Sequence, residues 1–276
     1  MHLVIQGADI ATPDLRHIAK LAGASAIEQI THTAFRLLNA SPHDDIPAFC
    51  EAADLDHAYV PEDRRLTDFR LLVIDMDSTL ITIETIDELA DMQGLKREVA
   101  DITAQAMRGE IEYDESLRRR VALLQGLEER ALDRVYDERL GLSPGAEKLL
   151  KAARDAGLKT LLVSGGFTRI TDRLKPRLKL DYTRSNTLAV ANGRLTGAIV
   201  GDIVNADRKR DELVRVRAKI GAARSQVIGI GDGANDLKFM AEAGVSIAYH
   251  AKPVVREQAT YALSHVGLDG ALALFG

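Results

Sequence analysis

Two aspartates separated by one residue, Asp75 and Asp77, stand at the end of the apolar run Leu71-Leu72-Val73-Ile74. A carboxylate at such a place can attack phosphorus and carry the phosphoryl group as an acyl phosphate. A second carboxylate beside it can protonate the leaving oxygen and later take a proton from the attacking water. Two further polar groups follow apolar runs of the same kind: Ser164-Gly165-Gly166 after Thr160-Leu161-Leu162-Val163, and Asp232 and Asp236 after Val227-Ile228-Gly229-Ile230. Carboxylates gathered in one place repel one another, and a hard cation relieves that cost; a set of few oxygen donors suits Mg²⁺. Asp75 and Asp232 are the natural direct ligands, and Asp236, one turn into the next helix, reads either as a ligand or as a residue that orients one. Ser164 and the amides of Gly165 and Gly166 can cradle phosphate oxygens ahead of a helix N-terminus. Lys209 can supply positive charge to the phosphoryl group.

The elements that must position these residues are short apolar strands alternating with amphipathic helices. Such a pattern predicts a doubly wound α/β core with a parallel, Rossmann-like sheet, whose active site lies past the carboxyl ends of the strands. Its predicted helices are Ala146–Ala156, Thr168–Leu178 and Asp207–Ile220, with a hairpin over 187–200 turning at Asn192-Gly193 and a further strand over 245–249. A strand-helix-strand unit takes about 30 residues. The chain from Asp75 to Ser164 is far longer, so most of it is an insertion, and it reads as four helices over 83–92, 95–107, 113–124 and 128–140. Inserted directly after the first strand, those helices form a cap over the site. Residues 1–66 read as a separate unit with the order βαββαβ, a small α+β ferredoxin-like domain. Thr12 would cap its first helix, with Pro13 at the first helical position. The division expected is 1–66, a core of 67–82 and 143–276, and a cap of 83–142.

The 276-residue chain is 46% hydrophobic, enough for a full core, and carries a formal charge of −5. Mixed charge with an acidic balance argues against nucleic acid as a partner. The basic runs Arg118-Arg119-Arg120 and Arg208-Lys209-Arg210 are short and flanked by acids. The single cysteine, Cys50, excludes an intramolecular disulfide and a cysteine-based zinc site. Neither a signal peptide nor a run of membrane-spanning length is visible, so the expectation is a cytoplasmic protein with no membrane association.

Asp75-x-Asp77-x-Thr79, Ser164 after a strand, a helical lysine and Gly231-Asp232-Gly233-x-Asn235-Asp236 resemble, in order, the four motifs of the haloacid dehalogenase superfamily. Glu84-Thr85-Ile86-Asp87-Glu88, Met107-Arg108-Gly109, Ser116-Leu117-Arg118 and Val163-Ser164-Gly165-Gly166-Phe167 narrow the resemblance to its phosphoserine phosphatase family, over about residues 69 to 270. The resemblance implies Mg²⁺ held by the Asp75 side chain, the Asp77 backbone carbonyl and Asp232. It implies Asp75 as nucleophile and Asp77 as acid/base, and phosphate contacts from Ser164, Gly165 and Lys209 with Asn235 nearby. The implied reaction is hydrolysis of O-phospho-L-serine through an aspartyl-phosphate, the last step of serine biosynthesis, with a homodimer left open as the assembly. A dehalogenase leaves Asp77 and the metal set without a role, and ATPases of the superfamily lack an acid/base at the Asp77 position.

Substrate choice then falls to the cap. Phosphoserine carries an ammonium and a carboxylate, which call for one anion and one cation. Glu84 lies close enough past the nucleophile to reach the same cavity. Leu117, Val121 and Leu124 form an apolar stripe, which Arg120 flanks at roughly 60° while Arg119 points away. In the resembled family Glu84 and Arg120 stand at the substrate-reading positions, with Met107 and Tyr113 as apolar cap residues; Tyr113 departs from the phenylalanine common there. Glu84 also reads as a first-turn acid favoured by the helix dipole, and Lys209 as a solvated neighbour of Arg208 and Arg210. Residues 1–66 weakly resemble the amino-acid-sensing ACT domains. A packing or dimerisation unit is the simpler reading, and a regulatory amino-acid-binding protein is the alternative from a different functional class.

Overall fold

The computed structural model describes residues 1–276. The chain opens with β1 (His2–Gln6), α1 (Thr12–Leu21), β2 (Ala26–Thr31), β3 (Ala34–Leu38), α2 (Asp45–Ala52) and β4 (Asp56–Val60). These strands form one antiparallel sheet in the order β2-β3-β1-β4, the ferredoxin-like arrangement. Alternation along β1 explains its two faces. Leu3 and Ile5 pack with Leu15, Ile18, Ile46 and Cys50 under the helices. Val4 points the other way and joins Ala34, Ala58 and Val60 in the main core of the molecule. β1 is therefore buried on both faces while the edge strand β2 stays exposed, and polar ties reinforce the contact. The buried Asp56 carboxylate accepts the backbone N–H groups of Ser264 and His265 at 2.7 and 2.9 Å, and Arg36 donates to the carbonyls of Ala273 and Phe275.

β5 (Leu71–Ile74) lies in the middle of a seven-stranded sheet of order β11-β10-β9-β5-β6-β7-β8. Its partners are parallel: β9 (Val227–Gly231) on one side and β6 (Lys159–Phe167) on the other. All four β5 residues are buried, each stabilising the fold by about 1.5–3 kcal/mol. Leu72 and Ile74 enter the core on one side of the sheet, Leu71 and Val73 the core on the other. A strand apolar at every position is what a sheet covered on both faces requires.

The insertion follows β5 as α3 (Thr85–Asp91), α4 (Lys96–Met107), α5 (Tyr113–Ala122) and α6 (Arg130–Arg134), the last continuing into a π-helical turn, Val135–Arg139. Its two connections run side by side, with Thr82 N–H donating to Gly141 O and Ser143 N–H to Leu80 O. α7 (Ala146–Asp155), β6, α8 (Thr168–Leu178), β7 (Tyr182–Ala191), β8 (Arg194–Val200) and α9 (Ala206–Lys219) continue the core. β9, α10 (Leu237–Met240), β10 (Val245–Tyr249), α11 (Pro253–Gln258) and β11 (Tyr261–Leu263) complete it.

Local details differ from expectation. Ala11, not Thr12, occupies the N-cap of α1, and no side chain bonds there; Pro13 in the first turn lacks the N–H that a cap would satisfy, which removes part of the reason for one. Ser164-Gly165-Gly166 lies inside β6 rather than beyond it, where the pairing with β7 shifts register between Val163 and Phe167. The first half of β7 pairs parallel with β6 before the strand turns into its hairpin. β11 is only three residues long, too short for an alternation pattern. No helix is long and apolar enough to cross a membrane.

Candidate active site

Asp75 leaves β5 with its N–H bonded to Ile230 O, which sets it against the end of β9. The chain then makes a tight π-type turn over Met76–Leu80, with Asp77 extended and Ser78 in the left-handed region at φ 56°. This turn throws the Asp75 and Asp77 side chains to different neighbours. Asp75 Oδ1 accepts from Lys209 Nζ at 2.7 Å, and the same ammonium donates to Asp236 Oδ1 at 2.7 Å. Lys209 sits on the buried face of α9 and is fully buried, so the reading of it as a solvated neighbour of Arg208 and Arg210 does not hold. Burial opposes its charge, but Asp236 and Asp75 outweigh that and raise its pKa above the ordinary lysine value.

Asp75, Asp232 and Asp236 offer carboxylate oxygens that all lie within 4.8 Å of one another. Burial, and after it the charge of Asp236, pushes the Asp75 carboxyl up, although Lys209 pulls it down. The same two causes push Asp232 up to about 6. One ammonium faces three carboxylates, so the cluster is short of positive charge and can hold a metal ion. Asp232 is oriented by Thr79, whose hydroxyl donates to its Oδ1 at 2.6 Å. Asp236 has both oxygens engaged: Lys209 on one, and the N–H groups of Asp232 and Gly233 on the other. It therefore shapes the loop as well as joining the cluster.

Asp77 is held from the cap. The Thr85 hydroxyl donates to Asp77 Oδ1 at 2.6 Å and the Thr85 N–H to Oδ2 at 3.3 Å. In the reverse sense Ser78 Oγ donates to Glu84 Oε1 at 2.7 Å. These crossed bonds tie the core turn to the first residues of α3. Burial, and then the neighbouring Glu84, raises the Asp77 pKa to about 8, with the Thr85 bonds resisting. Burial thus favours the protonated form of Asp77. Glu84 is raised by burial, the Ser78 bond and Arg120 opposing.

Ser164 is buried and its Oγ accepts the Gly166 N–H at 2.8 Å. Asn186 on β7 holds this bulge from behind, donating to Gly165 O at 2.7 Å while accepting from Val204 N–H. A side chain at Gly166 would put its Cβ 2.5 Å from Met76 Cε and 3.2 Å from Asp77 Oδ2, so the two loops approach closely there and a larger residue would have to displace the Met76 side chain. Asn235 lies on the β9 loop with its Oδ1 folded over Gly233, and it reaches none of the other expected residues through a hydrogen bond. On α5, Leu117 and Val121 are buried, as is Leu124 just past its end; Arg118 and Arg119 are exposed, and Arg120 is half-buried with its charge acting on Glu84. Met107 is 66% exposed, against the expectation of an apolar cap contact; its sulfur lies 4.0 Å from Lys252 Nζ on the opposite rim.

Sequence reasoning assigned no role to Thr79, Thr85 or Asn186. Thr79 and Thr85 stood inside recognised motifs, but a hydroxyl has no spacing rule that names its acceptor. Asn186 stands in the polar run Thr183-Arg184-Ser185-Asn186-Thr187, where nothing in the sequence marks it as buried. Away from these residues, a polar cavity of about 320 Å³ is lined by Glu128, Glu129, Asp133, Arg169 and Arg194. Its charges pair with one another, and nothing in it is left to bind.

The haloacid dehalogenase-like hydrolase family matches residues 69–244, and a domain family of unknown function matches residues 3–46. A phosphoserine phosphatase of Polaromonas sp. is 55% identical over 217 residues, covering 77% of this chain and 92% of its own. The crystal structure of a probable phosphoserine phosphatase from Vibrio cholerae superposes with a TM-score of 0.87 at 34% identity, over 99% of this chain and 86% of the other. A phosphoserine phosphatase solved as a phospho-aspartyl intermediate analogue superposes with a TM-score of 0.71 at 35% identity, over 75% of this chain and 99% of the other.

Proposed function

Since the chain belongs to the phosphoserine phosphatase family of the haloacid dehalogenase-like hydrolases, we propose that its buried carboxylates hydrolyse O-phospho-L-serine to L-serine and phosphate, the closing step of serine biosynthesis. The observation that carries this reading is the pairing of Asp75 with Lys209, with Asp77 held beside them by the Thr85 hydroxyl. Asp75 attacks phosphorus and the bond to the serine oxygen breaks, while Asp77 gives its proton to that oxygen. Water then attacks the phospho-Asp75, Asp77 takes the water's proton, and phosphate leaves with both aspartates restored. Lys209 balances charge on the phosphoryl oxygens, and Ser164 with the Gly165 amide binds them. Asn235, on the loop after β9, serves the same phosphate end.

The oxygen-only donor set suits Mg²⁺, with Asp75 and Asp232 as side-chain ligands and the Asp77 carbonyl as a third. When bound, the cation supplies the charge that keeps Asp75 and Asp232 ionised and shields the nucleophile from an anionic substrate. In this reading residues 83–142 are a specificity cap, whose Glu84 takes the substrate ammonium and whose Arg120 takes its carboxylate. Residues 67–82 and 143–276 are the catalytic core. Residues 1–66 are a packing unit, which the entry of Val4, Ala34, Ala58 and Val60 into the main core supports.

With Mg²⁺, the protein releases phosphate from O-phospho-L-serine with a kcat/KM well above that for phosphothreonine or sugar phosphates, and Asp75→Asn abolishes turnover. Robust turnover by that variant refutes the mechanism.

A further inference from the structure

The side chain of Tyr113 brings the cap against the phosphate loop. Tyr113 opens α5, and Arg120 lies seven residues, two turns, further along the same face. The Tyr113 hydroxyl is set against Gly165 so closely that a Cβ there would fall 2.2 Å from Oη. The neighbouring residue fixes this position: Asp114 Oδ1 accepts from Asn205 Nδ2 at 3.0 Å, and Asn205 is the N-cap of α9, the helix that carries Lys209. The beginning of α5 is thereby locked to both the phosphate loop and the lysine helix.

The hydroxyl itself has no hydrogen-bond partner in the protein, and with Tyr113 only half-buried its oxygen keeps solvent access, so it is free to donate to a bound ligand. The charged groups that act on it are those of the site: Lys209, Arg120, Asp75 and Asp77. Burial pushes the phenol up to about 12, the two cations opposing, so it keeps its proton and remains a donor at physiological pH. A protonated hydroxyl without a partner, lying against the glycine that would bind phosphate, is suited to an anionic oxygen.

Resting on the functional reading above, we propose that Tyr113 is a substrate-binding residue whose hydroxyl donates a hydrogen bond to a phosphoryl oxygen, so that cap closure completes the phosphate site with a donor of its own. A phenylalanine at this position packs on Gly165 but cannot donate. Arg120 and Tyr113 then divide the labour of one helix face: the arginine reads the amino acid and the tyrosine the phosphoryl group.

Tyr113→Phe tests this, since it removes only the oxygen. With Mg²⁺ present, binding of inorganic phosphate and of L-serine is measured by calorimetry on both proteins, alongside kcat/KM for O-phospho-L-serine. A hydrogen bond to a charged oxygen predicts that phosphate binding and kcat/KM weaken about 10- to 100-fold. L-serine, which has no phosphoryl group, binds both proteins equally. Unchanged phosphate affinity overturns the proposal, and so does equal weakening of phosphate and L-serine, which marks a disturbed cap. Absence of phosphoserine turnover by the unmodified protein refutes the functional reading instead, while the phosphate affinities still decide the part played by Tyr113.

Discussion

Replacing Lys209 by methionine separates the electrostatic account of the site from one based on packing alone. Methionine matches the length of the lysine stem and removes the ammonium that lies 2.7 Å from both Asp75 and Asp236. The lysine side chain is only 1% exposed, so water cannot take its place without rearrangement. Breaking a buried ion pair by removing one partner costs about 3–5 kcal/mol, because the remaining charges are left uncompensated. The cost depends on pH in a defined sense. Asp75, Asp77 and Asp232 have folded pKa values above those of unfolded aspartate. The folded state therefore binds more protons, and stability falls as pH rises from the unfolded value through the folded ones. Without the ammonium this slope steepens, since protonation is the remaining way to neutralise the cluster. In metal-free buffer, urea unfolding should show the variant about 3–5 kcal/mol less stable at pH 7.5, with an unchanged m-value and a smaller gap at pH 5.5. Added Mg²⁺ should narrow the gap at pH 7.5, because a ligand of the folded state alone stabilises it. Turnover should fall about 100- to 1,000-fold, as for loss of one preorganised charge donor. A gap below about 1 kcal/mol, or one independent of pH, contradicts the assignment of Lys209 as the counter-ion of the cluster.

Two further outcomes follow from the same geometry. Thr85→Val keeps the shape of the side chain and deletes the hydroxyl on Asp77 Oδ1; kcat should drop about tenfold with little change in KM, and Thr85→Ser should recover most of it. Loss of that bond also raises the Asp77 pKa, so the alkaline limb of the pH–rate profile should move upward in the valine variant. Metal affinity should weaken as pH falls through about 6, where Asp232 takes up a proton and ceases to be an anionic ligand. Calorimetric Mg²⁺ titrations at pH 5, 6 and 7.5 check this, and equal affinities at all three would refute it.

Much of this molecule was legible in the chain because the relevant signals are local. Four apolar residues before Asp75 require a strand covered on both faces, and β5 is that strand. Residues placed after such strands meet at one edge of the sheet whatever else the chain does, which is why Asp75 and Asp232 come together from opposite ends of the core sequence. The surplus of chain between Asp75 and Ser164, with its helical periodicity, likewise announced a cap. Alternation over 1–60 announced the ferredoxin-like unit.

Pairings between distant residues decided the rest. Nothing in Arg208-Lys209-Arg210 says that the middle residue is buried while its neighbours are solvated; the rotation of α9 on the sheet settles that. The hydroxyls of Thr79 and Thr85 find their carboxylate acceptors only because the turn at Ser78 reverses the chain over itself. The bulge within β6 arises from a register shift against β7, a strand whose parallel half has no pattern of its own. Sequence by itself thus determined that Asp75 and Asp232 follow apolar strands of one sheet. Tertiary structure decided which groups share the Lys209 ammonium or a hydrogen bond, because those contacts depend on distance and burial, and the packing of remote segments sets both.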